Sequence, residues 1–199
     1  AQRAAQSMNQ SSRELTDGLG SNQVLAFAAE VTRILEELGL EACVIGGVAN
    51  ARWGEPRQTA DVEVTISLQF GMESEAAEKL LSRFRSRIEE PEKFAAENRI
   101  LLLENTAGIG LDASLGGFPF EERMMRRSSL WNVPNHGEIR TCSAEDLVVL
   151  KAFANRPQDW IDIEKVVIRR SKKLDKEMIF EELTPLAELK EEPEIVDPP

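Results

Sequence analysis

The sequence predicts an α+β fold whose strands carry the chemistry and whose last quarter is helical. Three observations lead there. Residues 61–66, Asp-Val-Glu-Val-Thr-Ile, alternate with the two-residue period of a half-buried strand. Two further stretches, around 99–115 and 129–141, each read as a pair of short strands joined by a turn. From Ser143 to Lys190 the pattern changes to capped helical segments. The expected organisation is a flexible segment over 1–21, a core over 22–142, a helical segment over 143–190 packed on that core, and a flexible tail over 191–199.

In chain order, residues 1–21 are polar and Gln/Ser-rich, with no periodic apolar pattern. Ser21 or Asn22 caps a helix running to about Leu38, with Val24, Leu25, Ala28, Val31, Leu35 and Leu38 at helical spacing and Gly39 as the stop. Ala42–Ile45 is a first strand ending in Gly46-Gly47, a pair that permits a tight turn and close backbone approach. The helix that follows aims free N–H groups at an anion such as a triphosphate. Gly54-Glu55-Pro56 makes a turn, and Asp61–Leu68 is the second strand. Strand periodicity puts Asp61, Glu63 and Thr65 on one face and Val62, Val64 and Ile66 on the other. Two carboxylates on one face are costly unless a positive group sits between them, and a divalent metal is the natural candidate.

Glu73 to Arg87 reads as one helix that buries Ala76, Leu80, Leu81 and Phe84, with Pro91 closing the region. Arg99–Glu104 and Ile109–Leu115 form an antiparallel pair in which Asp112 shares the polar face with Gly110 and Ser114. Pro119–Arg127 is a short helix bearing Arg123, Arg126 and Arg127. Ser129–Val133 and Glu138–Thr141 pair across a turn that holds His136, the sole histidine, which reads as solvated. Ser143 caps the next helix with Asp146 at the capping-box position, and Lys151 sits on that helix. Asp175–Lys190 is a final helix, interrupted at Pro185.

Charge and composition narrow the function. The net charge of −11 argues against a general nucleic-acid-binding surface. It is uneven: residues 174–199 hold nine acidic residues against two lysines, whereas 121–173 hold eleven Lys/Arg against eight Asp/Glu. A local basic face, and with it RNA, stays open. Cys43 and Cys142 lack metal-ligand spacing and read as reduced core residues. No apolar run approaches the roughly 20 residues needed to span a bilayer, so no membrane partner and a cytoplasmic location are expected.

The strand, Gly46-Gly47, helix and Asp61-Val62-Glu63 series resembles the signature of the nucleotidyltransferase superfamily, whose fold is shared with DNA polymerase beta. Arg57, Thr59, Asp61 and Glu63 in sequence look closer still to its small abortive-infection (AbiEii-type) toxin members. Two later stretches are similar to segments of that family: Leu111-Asp112 through Pro119-Phe120-Glu121 to Arg123, and Glu145-Asp146 through Lys151 and Arg156 to Asp159 and Asp162. The resemblance implies a nucleotidyltransferase-fold mixed sheet flanked by helices. It implies transfer of an NMP group from an NTP to an acceptor hydroxyl, with two Mg2+ ions held by Asp61, Glu63 and Asp112. Gly46, Gly47, Arg57, Thr59, Lys151 and Arg156 become the nucleotide-binding residues, and Asp159 or Asp162 positions Lys151 or the acceptor. Acceptors compatible with the family are RNA (tRNA included), a protein side chain or a small molecule, and the toxin members imply a cognate antitoxin. An antibiotic-modifying role fits an acidic protein, but the acceptor site would then require a homodimer. A non-catalytic nucleotide- or partner-binding module on the same fold is the competing class. Two positions depart from the family's commoner residues: Glu63 where Asp is usual, and Gly47 where many active members carry Ser.

Overall fold

Among the described residues, seven short strands share one sheet, and none is longer than seven residues: β1 (Ala42–Val44), β2 (Asp61–Ser67), β3 (Arg85–Ser86), β4 (Ile100–Glu104), β5 (Gly110–Gly116), β6 (Ser129–Val133) and β7 (Gly137–Thr141). The computed structural model describes residues 22–196 and orders these strands β3-β4-β5-β2-β1-β7-β6. The sheet is mixed: β2 runs parallel to β5 and β1 parallel to β7, and the other pairs are antiparallel. Among the described residues, eight α-helices surround it: α1 (22–37), α2 (Gly46–Trp53), α3 (Glu73–Leu81), α4 (Pro91–Asn98), α5 (Pro119–Arg127), α6 (Ala144–Ala154), α7 (Pro157–Arg170) and α8 (Lys176–Leu189). The α+β class is as the sequence predicts. No helix among the described residues is long and apolar enough to cross a membrane.

Strand alternation splits the interior into two cores. Ala42, Val44, Val62, Val64 and Ile66 turn to one side, where α1, α3, α4 and the turn after α3 cover them with Phe27, Val31, Ala77, Leu80, Phe84 and Ala95. Cys43 turns to the other side and joins a second core built from Ala49 of α2, Met124 of α5, Leu147 and Val149 of α6, Val166 of α7 and Leu183 of α8. The carboxylate face of β2 belongs to this second side, so the C-terminal helices pack on the face that carries the chemistry. Helix α1 ends where Gly39 takes φ +67° and the Leu40 N–H donates to the Leu35 carbonyl, a Schellman-type stop.

Ion pairs tie α5, α6 and α8 together. Arg127 donates to both oxygens of Asp146, at 2.5–3.1 Å, and to Glu182 at 2.8 Å, while Arg123 makes a two-pronged bond to Glu182 at 2.6 and 2.8 Å. Asp146 is fully buried and also accepts from the Ser143 hydroxyl at 2.6 Å, while its own N–H donates back to that hydroxyl at 3.0 Å. The capping residues are thus the predicted ones, with Asp146 spending its carboxylate on Arg127. Arg127→Lys keeps one charge and loses the fork, so one buried carboxylate bond goes unmade. The expected cost is about 1–3 kcal/mol, a fall of several degrees in melting temperature by calorimetry.

Three elements depart from expectation. The helix predicted over Glu73–Arg87 stops at Leu81, and the chain turns so that Phe84 packs edge-on against Phe27 (6.1 Å between ring centres) and Arg85-Ser86 pair with Leu103-Glu104. Pro91 opens α4 at its first position, where its missing N–H costs nothing. Pro185 does not interrupt α8, because Ile179, Leu183 and Ala187 bury one continuous stripe on both sides of it. Residues 1–21, expected to be flexible, lie outside the described residues. The expected tail begins with a 3-10 turn, Pro193–Ile195, whose Ile195 is buried.

Candidate active site

The parallel pairing of β2 with β5 sets the site. Glu63 lies directly beside Asp112 and Asp61 beside Gly110, so Asp61, Glu63 and Asp112 stand on one face of two neighbouring strands. All three are half-buried, whereas the residues between them (Val62, Val64, Leu111 and Ala113) are fully buried on the opposite face. The alternation therefore does what the sequence reading requires of it.

Each carboxylate has a partner within the chain or a neighbour that has one. The Gly47 N–H donates to Glu63 Oε2 at 3.2 Å, so the side chain of Glu63 covers the start of α2. Gly46 adopts φ +57°, and a Cβ there would lie 1.6 Å from Glu63 Oε2; both facts require glycine. A Cβ on Gly47 would lie 2.6 Å from Thr59 Oγ1. Thr59 fills the space that a serine at 47 would need, and its hydroxyl bonds the Asp61 carbonyl at 3.3 Å. The two departures from the family pattern are thus sterically matched: the longer Glu63 reaches the glycine turn, and Thr59 takes the place beside Gly47. Asp112 is paired with Arg87, which follows β3. The Arg87 guanidinium lies over Gly110, where an added Cβ would meet Arg87 Nη1 and Asp61 Cβ, each at 3.2 Å.

A cleft of about 280 Å³ opens beside this face and collects most of the residues singled out from the sequence. Gly46, Arg57, Glu63, Lys151, Arg156 and Asp159 all line it. Lys151 is 4% exposed, with its ammonium held between Asp159 (3.0 Å) and Asp162 (2.6 Å). Arg57 bonds Asp162 at 3.1 Å, and Arg156 bonds Asp159 at 2.9 Å. Lys151 is therefore enclosed, while Arg156, 71% exposed in its side chain, and Arg57, at 37%, present cations to the opening.

Burial alone would raise the Asp162 pKa, but hydrogen bonds from Lys151, Gln158 and Arg57 outweigh it and hold the carboxyl below its usual range. Glu182 is held low chiefly by its bonds to Arg123 and Arg127, against the opposing effect of burial. A depressed folded pKa contributes stability above the unfolded value, roughly pH 4, and that stability is lost as pH falls through the folded value. Melting temperature should therefore drop steeply below about pH 4, and Glu182→Gln should flatten the drop; an unchanged slope in that variant would contradict the assignment.

Among the described residues, no group of three or more His, Cys, Asp or Glu side chains converges as a metal cage. The reason is visible: Glu63 is turned to the α2 N-terminus and Asp112 to Arg87. The donor set itself, three carboxylates in register on adjacent strands, suits a hard oxygen-seeking cation. Sequence reasoning missed Arg87, because the stretch 73–87 has neither Gly nor Pro to break its helical pattern. His136 lies in the β6–β7 turn, 3.4 Å from Asn22, away from the carboxylates. Cys43 and Cys142 are free and buried; burial pushes the Cys43 thiol up to about 12 and Cys142 higher than its ordinary value, so neither supplies a thiolate near neutrality.

The fold, rather than the site, recurs in solved structures. An antigenic nucleotidyltransferase-like protein from Paracoccidioides brasiliensis superposes with a TM-score of 0.53 at 13% identity, over 86% of this chain and 90% of its own. The chain has the nucleotidyltransferase fold. The antibiotic-resistance factor ANT(2'')-Ia superposes on this fold in two structures. Its solution structure gives a TM-score of 0.56 at 16% identity, over 86% of this chain and 95% of that one. Its complex with adenylyl-2''-tobramycin gives 0.52 at 15% identity, over 85% and 99%. No protein-family model and no curated protein matches the sequence. At these identities the nucleotidyltransferase fold is shared, and function has to be argued from the chain's own residues.

Proposed function

We propose that this chain is a metal-dependent nucleotidyltransferase that moves an NMP group from an NTP to an acceptor hydroxyl and releases pyrophosphate. The observation that carries this reading is the register that puts Glu63 beside Asp112, with Asp61 on the same face, next to the Gly46-Gly47 turn. Asp61, Glu63 and Asp112 are the residues that would hold Mg2+, which when bound would offset the negative charge that crowds the reacting phosphorus. The remaining work falls to the chain. The N–H groups at the start of α2 bind the β- and γ-phosphates once Glu63 turns away from Gly47. Arg57 and Arg156 grip the triphosphate from the cleft wall, and Lys151 holds that wall positive. Asp159 positions Lys151, and Thr59 fixes the loop that leads into Asp61. Asp112, freed of Arg87, accepts the proton of the acceptor hydroxyl.

The acceptor is RNA (tRNA included), a protein side chain or a small molecule. A role as toxin, with a cognate antitoxin as partner, follows the sequence resemblance. A small cationic acceptor is favoured by the net charge of −11, and the ANT(2'')-Ia structure with adenylyl-2''-tobramycin is a precedent on this fold.

The test uses NTPs labelled at the α-phosphate, incubated with Mg2+, the protein and a cell extract, beside Asp61→Asn. Label appearing in one fraction and lost in the variant names the acceptor class; no label in any fraction from folded protein sinks the reading. A second reading, a binding module without catalysis, is favoured by the internal partners that Glu63 and Asp112 already have. It predicts tight calorimetric binding of NTP with no pyrophosphate released.

A further inference from the structure

Two features place Arg87 on the carboxylate face. The first is its ion pair with Asp112. The second is Gly110. Its φ is not in the left-handed region, so no backbone requirement explains a glycine there. The space does: the Arg87 guanidinium passes over Gly110, and a Cβ at that position would be crowded at 3.2 Å by both Arg87 Nη1 and Asp61 Cβ. The guanidinium therefore reaches across the face from Asp112 toward Asp61, the strand neighbour of Gly110.

The backbone of Arg87 is pinned, while its side chain borders solvent. Its N–H donates to the Leu102 carbonyl at 2.9 Å, and the Ser86 hydroxyl pins the next residue through the Ile88 N–H (3.1 Å) and carbonyl (2.7 Å). Its side chain is about one third exposed, with solvent beside it into which a long flexible stem can turn.

We propose that Arg87 is a resident counter-cation of the carboxylate face, held where it neutralises Asp112 and Asp61 and displaced when a divalent cation binds there. The inference rests on the nucleotidyltransferase reading of Asp61, Glu63 and Asp112 and adds a residue to it. Three carboxylates on one face repel one another, and a cation lowers that cost while the site is idle. The same cation competes with metal. Metal alone binds weakly, and a metal–triphosphate complex binds better, because its phosphates offer the displaced guanidinium a new partner. Arg87 is thus a positioning residue that couples metal entry to nucleotide entry.

The experiment is titration with Mn2+ in the absence of nucleotide, with the free ion followed by its electron paramagnetic resonance signal. Arg87→Met keeps the stem and removes the charge; Arg87→Lys keeps the charge. Circular dichroism melting checks that each is folded. Arg87→Met should bind Mn2+ at least about tenfold more tightly than the unaltered chain, Arg87→Lys should stay near the unaltered value, and adding Asp112→Asn to Arg87→Met should cancel the gain. Equal, measurable affinity in the unaltered chain and Arg87→Met would overturn the role of Arg87 and leave the metal site standing, reducing the contact to a cross-strand ion pair. Absence of Mn2+ binding from every variant without nucleotide would overturn the inference, and absence of binding also in the presence of a non-hydrolysable triphosphate would overturn the metal-dependent reading on which it rests.

Discussion

Asp61→Asn should reduce transfer of label from an α-labelled triphosphate by at least about 100-fold without lowering the melting temperature. The two halves of this expectation come from different facts. Loss of activity follows from removing a charge that only this position supplies on β2 next to Gly110. Even outer partners of metal ligands are worth about 10–100-fold, so a direct ligand is worth more. Retained stability follows from geometry. Asp61 is half-buried, and its carbonyl, not its carboxylate, accepts the Thr59 hydroxyl. Removing one of three like charges relieves repulsion, so the variant should melt at the same temperature or slightly higher. A folded Asp61→Asn with full activity would dismiss the proposed site.

Lys151→Met should do the opposite and hit stability first. The ammonium is the shared partner of Asp159 and Asp162, whose side chains are 8% and 4% exposed. Deleting it leaves two buried carboxylates with Arg57 and Arg156, of which Arg156 stands largely in solvent and Arg57 is partly exposed. Breaking a buried pair from one side costs about 3–5 kcal/mol, which for a chain of this size is a drop of roughly 10 °C. The triple variant Lys151→Met, Asp159→Asn, Asp162→Asn removes the stranded charges and should recover most of the loss, while nucleotide transfer stays impaired. If the single variant melts like the unaltered chain, the ammonium is not the keystone of the cleft wall.

How far the sequence foretold this site depends on the range of the interactions concerned. The alternation in Asp61–Ile66 and Ile109–Leu115 is local, and it placed three carboxylates on polar strand faces correctly. That those two strands are neighbours, with Glu63 in register with Asp112, is not local; the family resemblance grouped the three carboxylates at one site but did not give the pairing. Gly46 was legible as a turn, but not that its bare Cα houses Glu63. Lys151, Asp159 and Asp162 fall at helical spacings across the α6–α7 junction, yet only packing reveals that the lysine is enclosed by both acids. Arg87 was invisible because Glu73–Arg87 has the composition of a helix; burial of Phe84 and pairing with β4 override that preference. Both prolines misled for related reasons: Pro91 sits where its missing N–H is harmless, and Pro185 lies in a helix held by its buried stripe.

The cleft wall has an origin in time as well as space. One side of it is laid down by residues 45–63 and the other by residues 147–159. At about 5–20 residues per second, the ribosome finishes the first side several seconds or more before the second. Over that interval the glycine turn, Arg57 and the β2 carboxylates exist without Lys151 and Arg156. On the proposed nucleotidyltransferase reading, a nascent chain at that stage holds only part of the triphosphate site, and nucleotide is a poor template for the early steps of folding. Ligand protection in a stalled-chain series should switch on abruptly, only after α7 has cleared the exit tunnel.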